Sequence, residues 1–442
     1  MSTTIIRKLV QSGQALTGRI YQAMAGTGDI NSQAVPLLAR NSDNALIVTM
    51  ADLDKDAFGR IQVASPYNVF DVTHVHDKQP LLMDEALSTG TMSSTHLPNE
   101  GSVRLRINSG TATGQSIVRQ SFMYAPYQPG RSQLVLLTGN FTAAVTNSIK
   151  ELGLFDSNNG LFFRQAGDGT ISVVRRTFVT GSAVDTAVAQ SSWNMDTMNG
   201  AGPSAVTLDF TKSQLFVIDY GWLGVGIVRF GFVVGNRIRW VHKLSNENTF
   251  TGPYMSTGAL PVRYSIRTTG TLGANADLQH ICSSVTAMGG FDREPFPAST
   301  NTRLLTGGNT AISGGTRRLM MTLRLRTGYV RGLIMPLAVH GLADSLDNFS
   351  IELVLGGTRS GGSATTTQVT DAVEVLTGQT TLTGGRTLAS AIVPGNGSLS
   401  EPVRTRLPVA ATIAGTAQEV SVVITAFSTG TFYAGASWGE IY

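Results

Sequence analysis

Apolar and polar positions alternate with a period of two through most of this chain. That spacing turns one face of a β-strand to a core and the other to solvent. It is cleanest at 102–108, where Val103, Leu105 and Ile107 face one way and Arg104 and Arg106 the other. Residues 209–242 (DFTKSQLFVIDYGWLGVGIVRFGFVVGNRIRWVH) predict three strands, at 214–219, 226–234 and 237–242, filled by β-branched and aromatic residues. Gly235-Asn236 has the composition of a two-residue hairpin. Further strands are expected at 119–124, 131–138, 161–164, 170–178 and 260–266. A helical turn is expected before the polar loop at 156–159, and a hairpin turn at 167–169. About nine short strands at this spacing suit a two-layer sandwich. Residues 274–285 read as a helix or a strand. Beyond them, strands at 317–325, 332–339, 349–355, 371–376, 389–393, 420–427 and 432–441 predict a second sandwich, with the Gly/Thr-rich stretch 356–366 as a surface excursion. The first hundred residues carry only brief strand signals, at 45–49 and 60–64. The chain therefore reads as all-β: an extended N-terminal arm or small subdomain (1–100), a sandwich (101–267) and a C-terminal β-sandwich (268–442).

Composition reinforces that reading. Only 14% of the 442 residues are charged and 49 are glycine, against roughly 25% charged in ordinary soluble domains. Long helices fit this mixture poorly. So few charges suit a subunit that buries much of its surface against neighbours. The net charge of +4 is near balance. Arg317, Arg318, Arg324, Arg326 and Arg331 are interrupted by apolar residues in strand alternation, so they read as strand-face arginines and not as a nucleic-acid stripe. Cys282 is the sole cysteine, which rules out an intrachain disulfide. The first residues lack a continuous apolar signal segment, and the longest apolar patch, 215–234, carries Asp219 and Arg229. A cytoplasm-like compartment and no membrane association are expected.

Chemical motifs are sparse. Asp156, Asp168, Asp196 and Asp209 sit in turns, where Asx capping explains them more simply than calcium at 156–159, because no glutamate follows at the spacing that ion needs. His74 and His76 would share a strand face, but no further ligands lie near them in sequence. GWLGVG at 221–226 is not a dinucleotide fingerprint, since a strand and not a helix follows it. Glu151, Asp209, Asp219, Glu247, Glu352 and Glu374 are candidate carboxylates for glycoside hydrolysis, but sequence does not pair them. No catalytic, cofactor-binding or metal site is therefore assigned. Trp193, Trp222, Trp240 and Tyr254 are candidate saccharide contacts, offering stacking faces beside polar loops.

A longer set of segments carries a resemblance. SPYNVFDVTHVHDKQPLL, QLVLLTGNF with GLFDSNNGLFF downstream, WNMDTMNGAGPSAVTLDFTKSQLFVIDYGWLGVGIVRFGFVVGNRI, YMSTGALPVRYSI and the ending SWGEIY together resemble a family of virion structural proteins of tailed bacteriophages and large DNA viruses. The resemblance runs over most of the chain and is best between Pro66 and Arg267. It implies a concanavalin-like jelly roll in the central domain and a particle component without catalytic residues. The particle role would be decoration of a capsid or a head or neck appendage. The alternative is a tail-associated or fibre protein that binds host surface saccharides. The implied location is the virion, and the implied partners are other virion proteins, a host glycan and further copies of the chain. A homo-oligomer, most simply a trimer, is expected, assembled through the N-terminal arm or through 317–339. There Leu319, Met321, Leu323 and Leu325 form a candidate apolar assembly face.

Overall fold

The computed structural model describes residues 65–442 apart from 293, 308–309 and 404–406, together with Asp56, Ala57 and a ladder pairing Leu38–Ala39 with Leu46–Ile47. Two antiparallel sheets form the first sandwich. The first sheet has seven strands in the order Val184–Ala189, Ile171–Thr177, Gly160–Gln165, Ser148–Phe155, Leu260–Thr268, Ser116–Ala125, Met83–Leu87. The second runs Arg237–Leu244, Val228–Val234, Gln214–Tyr220, Ser132–Asn140, Ala276–Met288, Ser102–Ile107, Met92–Leu97, with Tyr67–Thr73 also paired to Ala276–Met288. Alternate residues enter the space between them. Val103, Leu105, Ile107, Val135, Leu137, Phe216 and Phe230 come from the second sheet, and Leu152, Leu154, Phe163, Val262 and Ile266 from the first. Phe163 lies at the centre, with its ring centroid 5.0, 5.4 and 5.2 Å from those of Phe216, Phe230 and Phe232. This is the two-layer sandwich that the alternation implied, and it agrees with the concanavalin-like jelly roll that the resemblance implied.

The turns follow from backbone chemistry. Gly235 and Asn236 have φ of 61° and 60° and join Val234 to its partner Arg237, the mirror-image turn whose twist matches the strands it connects. A side chain at Gly226 would sit 1.6 Å from the carbonyl oxygen of Gly221, so the glycines of GWLGVG close a loop and cradle no phosphate.

Three expectations change. The boundary at 267 moves: of the stretch read as helix or strand, 276–285 belong to a long strand, Ala276–Met288, that lies between Ser132–Asn140 and Ser102–Ile107, so the first sandwich continues past residue 267. The helical turn before 156–159 is instead the strand Ser148–Phe155. The latter part of the presumed arm contributes strands to both sheets, because Phe70, Val72 and Met83 enter the first core. The earlier part, with the strand expected at 60–64, lies outside the described residues apart from those given above.

The second sandwich packs a sheet of Phe296–Asn301, Gly430–Ile441, Leu333–Ala343 and Ser398–Pro402, with Thr310–Ile312 also on Gly430–Ile441, against a six-stranded sheet. That six-stranded sheet runs Thr365–Gln368, Val373–Thr377, Arg317–Leu325, Glu419–Ala426, Phe349–Leu355, Arg386–Val393. The stretch 356–366 is partly ordered into it, and Thr358–Ser360 pairs with Thr381–Thr383.

The proposed assembly face is corrected here. Leu319, Met321, Leu323 and Leu325 are 4%, 1%, 1% and 3% exposed. The last three belong to the second core, and Leu319 packs with Val354, Leu382 and Val423. A bulge between Leu319 and Met321 turns Met320 inward as well. Arg317–Leu325 and Leu333–Ala343 are each paired on both sides, so neither offers a free edge to a neighbouring subunit.

The two sandwiches meet through a small apolar cluster. Leu333, Ala410 and Ile441 of the second pack with Phe122 and Met123 of the first. The backbone N–H of Ile413 donates to Asp84 Oδ2 at 2.7 Å.

Candidate functional site

The outward face of the first sheet carries an aromatic floor under a layer of arginines. Phe155 and Phe162 stack at 4.3 Å and, with Val174, are fully buried. Arg263 lies 5.4 Å from the Phe155 ring, and Arg176 lies 5.1 Å from that of Phe162. The carboxylates on this face are held by arginines: Arg164 Nε donates to Glu151 at 2.8 Å, and Arg176 grips Asp185 through two N–H groups at 2.7 and 3.0 Å. The paired arginines hold Asp185 below the usual carboxylate range despite its burial. Arg263 donates to Gln120 Oε1 at 2.8 Å, and burial lowers its pKa.

This face runs into a cleft of about 620 Å³ between the sandwiches. From the first sandwich come Tyr124, at the end of Ser116–Ala125, Asn158, Phe178 and Thr257. From the second come Tyr329, Arg331 and Tyr442. The turn at Asp156 sets the rim. Its Oδ1 accepts from the backbone N–H of Asn158 and Asn159, both at 2.7 Å, and Arg331 approaches its Oδ2 at 2.6 Å. The Arg331 guanidinium lies 5.8 Å from the Tyr124 ring. Burial, with the nearby Asp156 charge, raises the Tyr124 pKa. Tyr442 meets Tyr329 edge-on at 5.1 Å and Phe296 at 5.8 Å. It also borders a second hollow of about 680 Å³, lined by Phe296, Thr370, Asp371 and Glu440 among others. An aromatic strip thus leads from the cleft, over Tyr442, into the adjoining hollow.

None of the four residues singled out for saccharide contact lines the cleft. Trp193 and Tyr254 are buried in the first core at 5% and 2% exposure. The Trp193 indole donates to Val188 O, and burial raises the Tyr254 pKa. Trp222 is half-buried, donates to Met255 O and closes against Gly258, where a side chain would meet its ring. Trp240 lies on the other sheet beneath Arg229, 4.4 Å away. Trp193 and Trp438 are core and Trp222 closes a turn, while the exposed large aromatics are tyrosine and phenylalanine. Proline and glycine beside Tyr124 and Tyr329 (YAPYQPG, TGYVRG) were the available signal.

The candidate carboxylates are likewise dispersed. Asp219 pairs with Arg229, Glu352 with Arg317 and Glu374 with Arg324, while Asp209 caps its own turn through Thr211. At 156–159 the Asp156 carboxylate is taken by two backbone N–H groups and Arg331, which disposes of the calcium alternative. His74 is buried and His76 exposed. Among the described residues, no group of three or more His, Cys, Asp or Glu side chains is placed to hold a metal ion.

No family model matches this chain, and no curated protein does. Among solved structures, the chain is similar over about half its length to a β-glucanase of Bacillus licheniformis (10% identity, TM-score 0.31, covering 51% of this chain and 99% of that one). It is also similar to a β-1,3-glucanase of Mycobacterium marinum (12%, 0.31, 49% and 98%) and to an endo-β-1,4-glucuronan lyase of the fungus Trichoderma reesei (11%, 0.29, 49% and 94%). At these identities and scores the similarity assigns no activity. The expectation of a virion component, with its tail or fibre alternative, is corrected on this finding, since the structures named here are two glucanases and a lyase.

Proposed function

We propose that this protein binds saccharide chains in the cleft between its two sandwiches. One observation carries the reading: Tyr124, Phe178, Tyr329 and Tyr442 line a single cleft together with Asn158, Thr257 and Arg331. A sugar ring has apolar C–H faces and a rim of hydroxyls. Rigid aromatic faces beside amide, hydroxyl and guanidinium groups complement both at once. The continuation past Tyr442 to Phe296 gives room for several rings. Binding is preferred to turnover in the cleft because Asp156, the carboxylate at its rim, is already engaged by Arg331 and two backbone N–H groups.

Calorimetric titration of the full chain against neutral and acidic oligosaccharides tests this. Tyr124→Ala and Tyr329→Ala should each raise Kd about tenfold, as expected for loss of a stacking face. Absence of binding by every glycan at millimolar concentration would sink the reading.

Hydrolysis of the bound chain is a second reading, favoured by the two carboxylates Asp371 and Glu440 in the hollow beside Tyr442. Glu440 accepts hydrogen bonds from Thr370 Oγ1 at 2.6 Å and from Trp438 Nε1 at 2.8 Å, which fix its orientation. Release of reducing ends that disappears in Glu440→Gln would establish turnover. Binding without release would leave the first reading standing alone.

A further inference from the structure

A second groove, of about 590 Å³, crosses the outer face of the second sandwich, away from the cleft residues. Strand register builds it. Ser400, His340, Gly435 and Asn301 stand opposite one another across four adjacent strands. In the neighbouring row Leu342 faces Tyr433. Gly435 opens the floor: a side chain there would lie 3.4 Å from His340 Cβ and 3.2 Å from Asn301 Cβ. The groove is thus a slot with an aromatic and aliphatic wall on one side and polar groups on the other.

The polar side chains include one cation, Arg303. Asn301 spends its Oδ1 on the N–H of Leu304 at 3.0 Å, which leaves its NH₂. His340 Nε2 lies 2.7 Å from Ser437 Oγ, which leaves Nδ1 to donate or to accept according to the tautomer. Arg303 bonds Gly307 O through one nitrogen and keeps its remaining N–H groups at the rim. Ser398 and Ser400 add exposed hydroxyls. Among the described residues, no aspartate or glutamate lines the groove. A carboxylate or sulfate on a sugar ring accepts charge-assisted hydrogen bonds from a guanidinium and a further bond from an amide NH₂, which a neutral ring cannot match.

We propose that this groove binds a sugar ring bearing a carboxylate or a sulfate, its face on Tyr433 and its acidic group toward Arg303. The site is separate from the cleft, and its test is run with the cleft weakened, the Tyr433 and Arg303 changes reporting on the groove alone. The full chain carrying Tyr124→Ala and Tyr329→Ala is titrated with a uronate oligosaccharide, a sulfated oligosaccharide and the neutral chain of equal length. At least one acidic probe should bind ten or more times tighter than the neutral chain, and the tighter of the two identifies the acidic group. Adding Tyr433→Ala should weaken that binding at least tenfold. Adding Arg303→Gln, a change at an exposed side chain, should bring acidic and neutral affinities within about twofold. The proposal falls if neutral and acidic chains bind alike before the Arg303 change, if no probe binds, or if neither substitution alters an acidic probe's affinity while the protein melts as before.

Discussion

The first core encloses a group of ionisable side chains. His74 is fully buried. Its Nδ1 lies 2.8 Å from Ile281 O, and its Nε2 lies 2.9 Å from an Arg119 nitrogen, which can only donate. His280 lies 4.3 Å from His74 and stacks on Tyr264 at 3.8 Å. Glu85 binds both Arg119 and Lys78. Burial, with Arg119 and His96 adding repulsion, lowers the His74 pKa from 6.5 to about 4, and burial pushes His280 well below its ordinary range. A base with a depressed folded pKa stays neutral in the native state while its unfolded counterpart takes up a proton. The stability it contributes is complete above pH 6.5 and is lost as pH falls toward 4, about 3 kcal/mol from His74 alone. Asp219 works in the other direction. Burial outweighs its Arg229 partner and raises its pKa to about 6, so its contribution improves as pH falls from 6 toward 3.8. Urea denaturation between pH 7 and 4.5 should show a net loss of stability. Asp219→Asn should make that loss steeper. A profile flat across this range would mean that the histidines are not held neutral.

At the scale of strands, the 317–325 segment shows how one alternation admits two meanings. Its apolar residues were assigned to an interface between subunits, yet they fill the core of the subunit itself. Leu323 lies in the strand between Val373–Thr377 and Glu419–Ala426, at 1% exposure. Leu323→Ala should therefore cost about 2–5 kcal/mol, because a cavity is left that the sandwich only partly fills. Sedimentation should be unchanged wherever the variant remains folded. A variant of normal stability and altered oligomeric state would restore the interface reading. Residues 274–285 read as helix or strand, and the strand holds from residue 276, with polar residues alternating on a strand paired on both sides.

Across the whole molecule, one ion pair couples the candidate site to the junction of the sandwiches. Arg331 belongs to the second sandwich and Asp156 to the first, and Asp156 is 3% exposed. Removing the guanidinium leaves a buried carboxylate with two backbone N–H partners and only the more distant Arg176 and Arg263 as counter-charge. Arg331→Gln should destabilise the protein by about 1–3 kcal/mol and weaken saccharide binding in the same variant, since Tyr124 and Tyr329 sit on opposite sides of the contact. Thermal unfolding and titration on one preparation measure both. Loss of stability with full binding would separate the junction from the site.

The strand-rich character, the sandwich layers, the Gly235-Asn236 hairpin and the turn role of Asp156 were all legible in the residues, because period-two alternation and turn chemistry act over a few positions. Long-range pairing was not. Ala276–Met288 joined the first sandwich because its partners, Ser132–Asn140 and Ser102–Ile107, lie more than a hundred residues earlier, and nothing local names them. The candidate site depends on the same kind of information. Tyr124, Phe178, Tyr329 and Tyr442 carry no shared spacing, and only the packing of one sandwich on the other brings them to one cleft. Whether an aromatic residue becomes core, like Trp193, or lining, like Tyr124, depends on what covers its face, and that is a property of the folded chain.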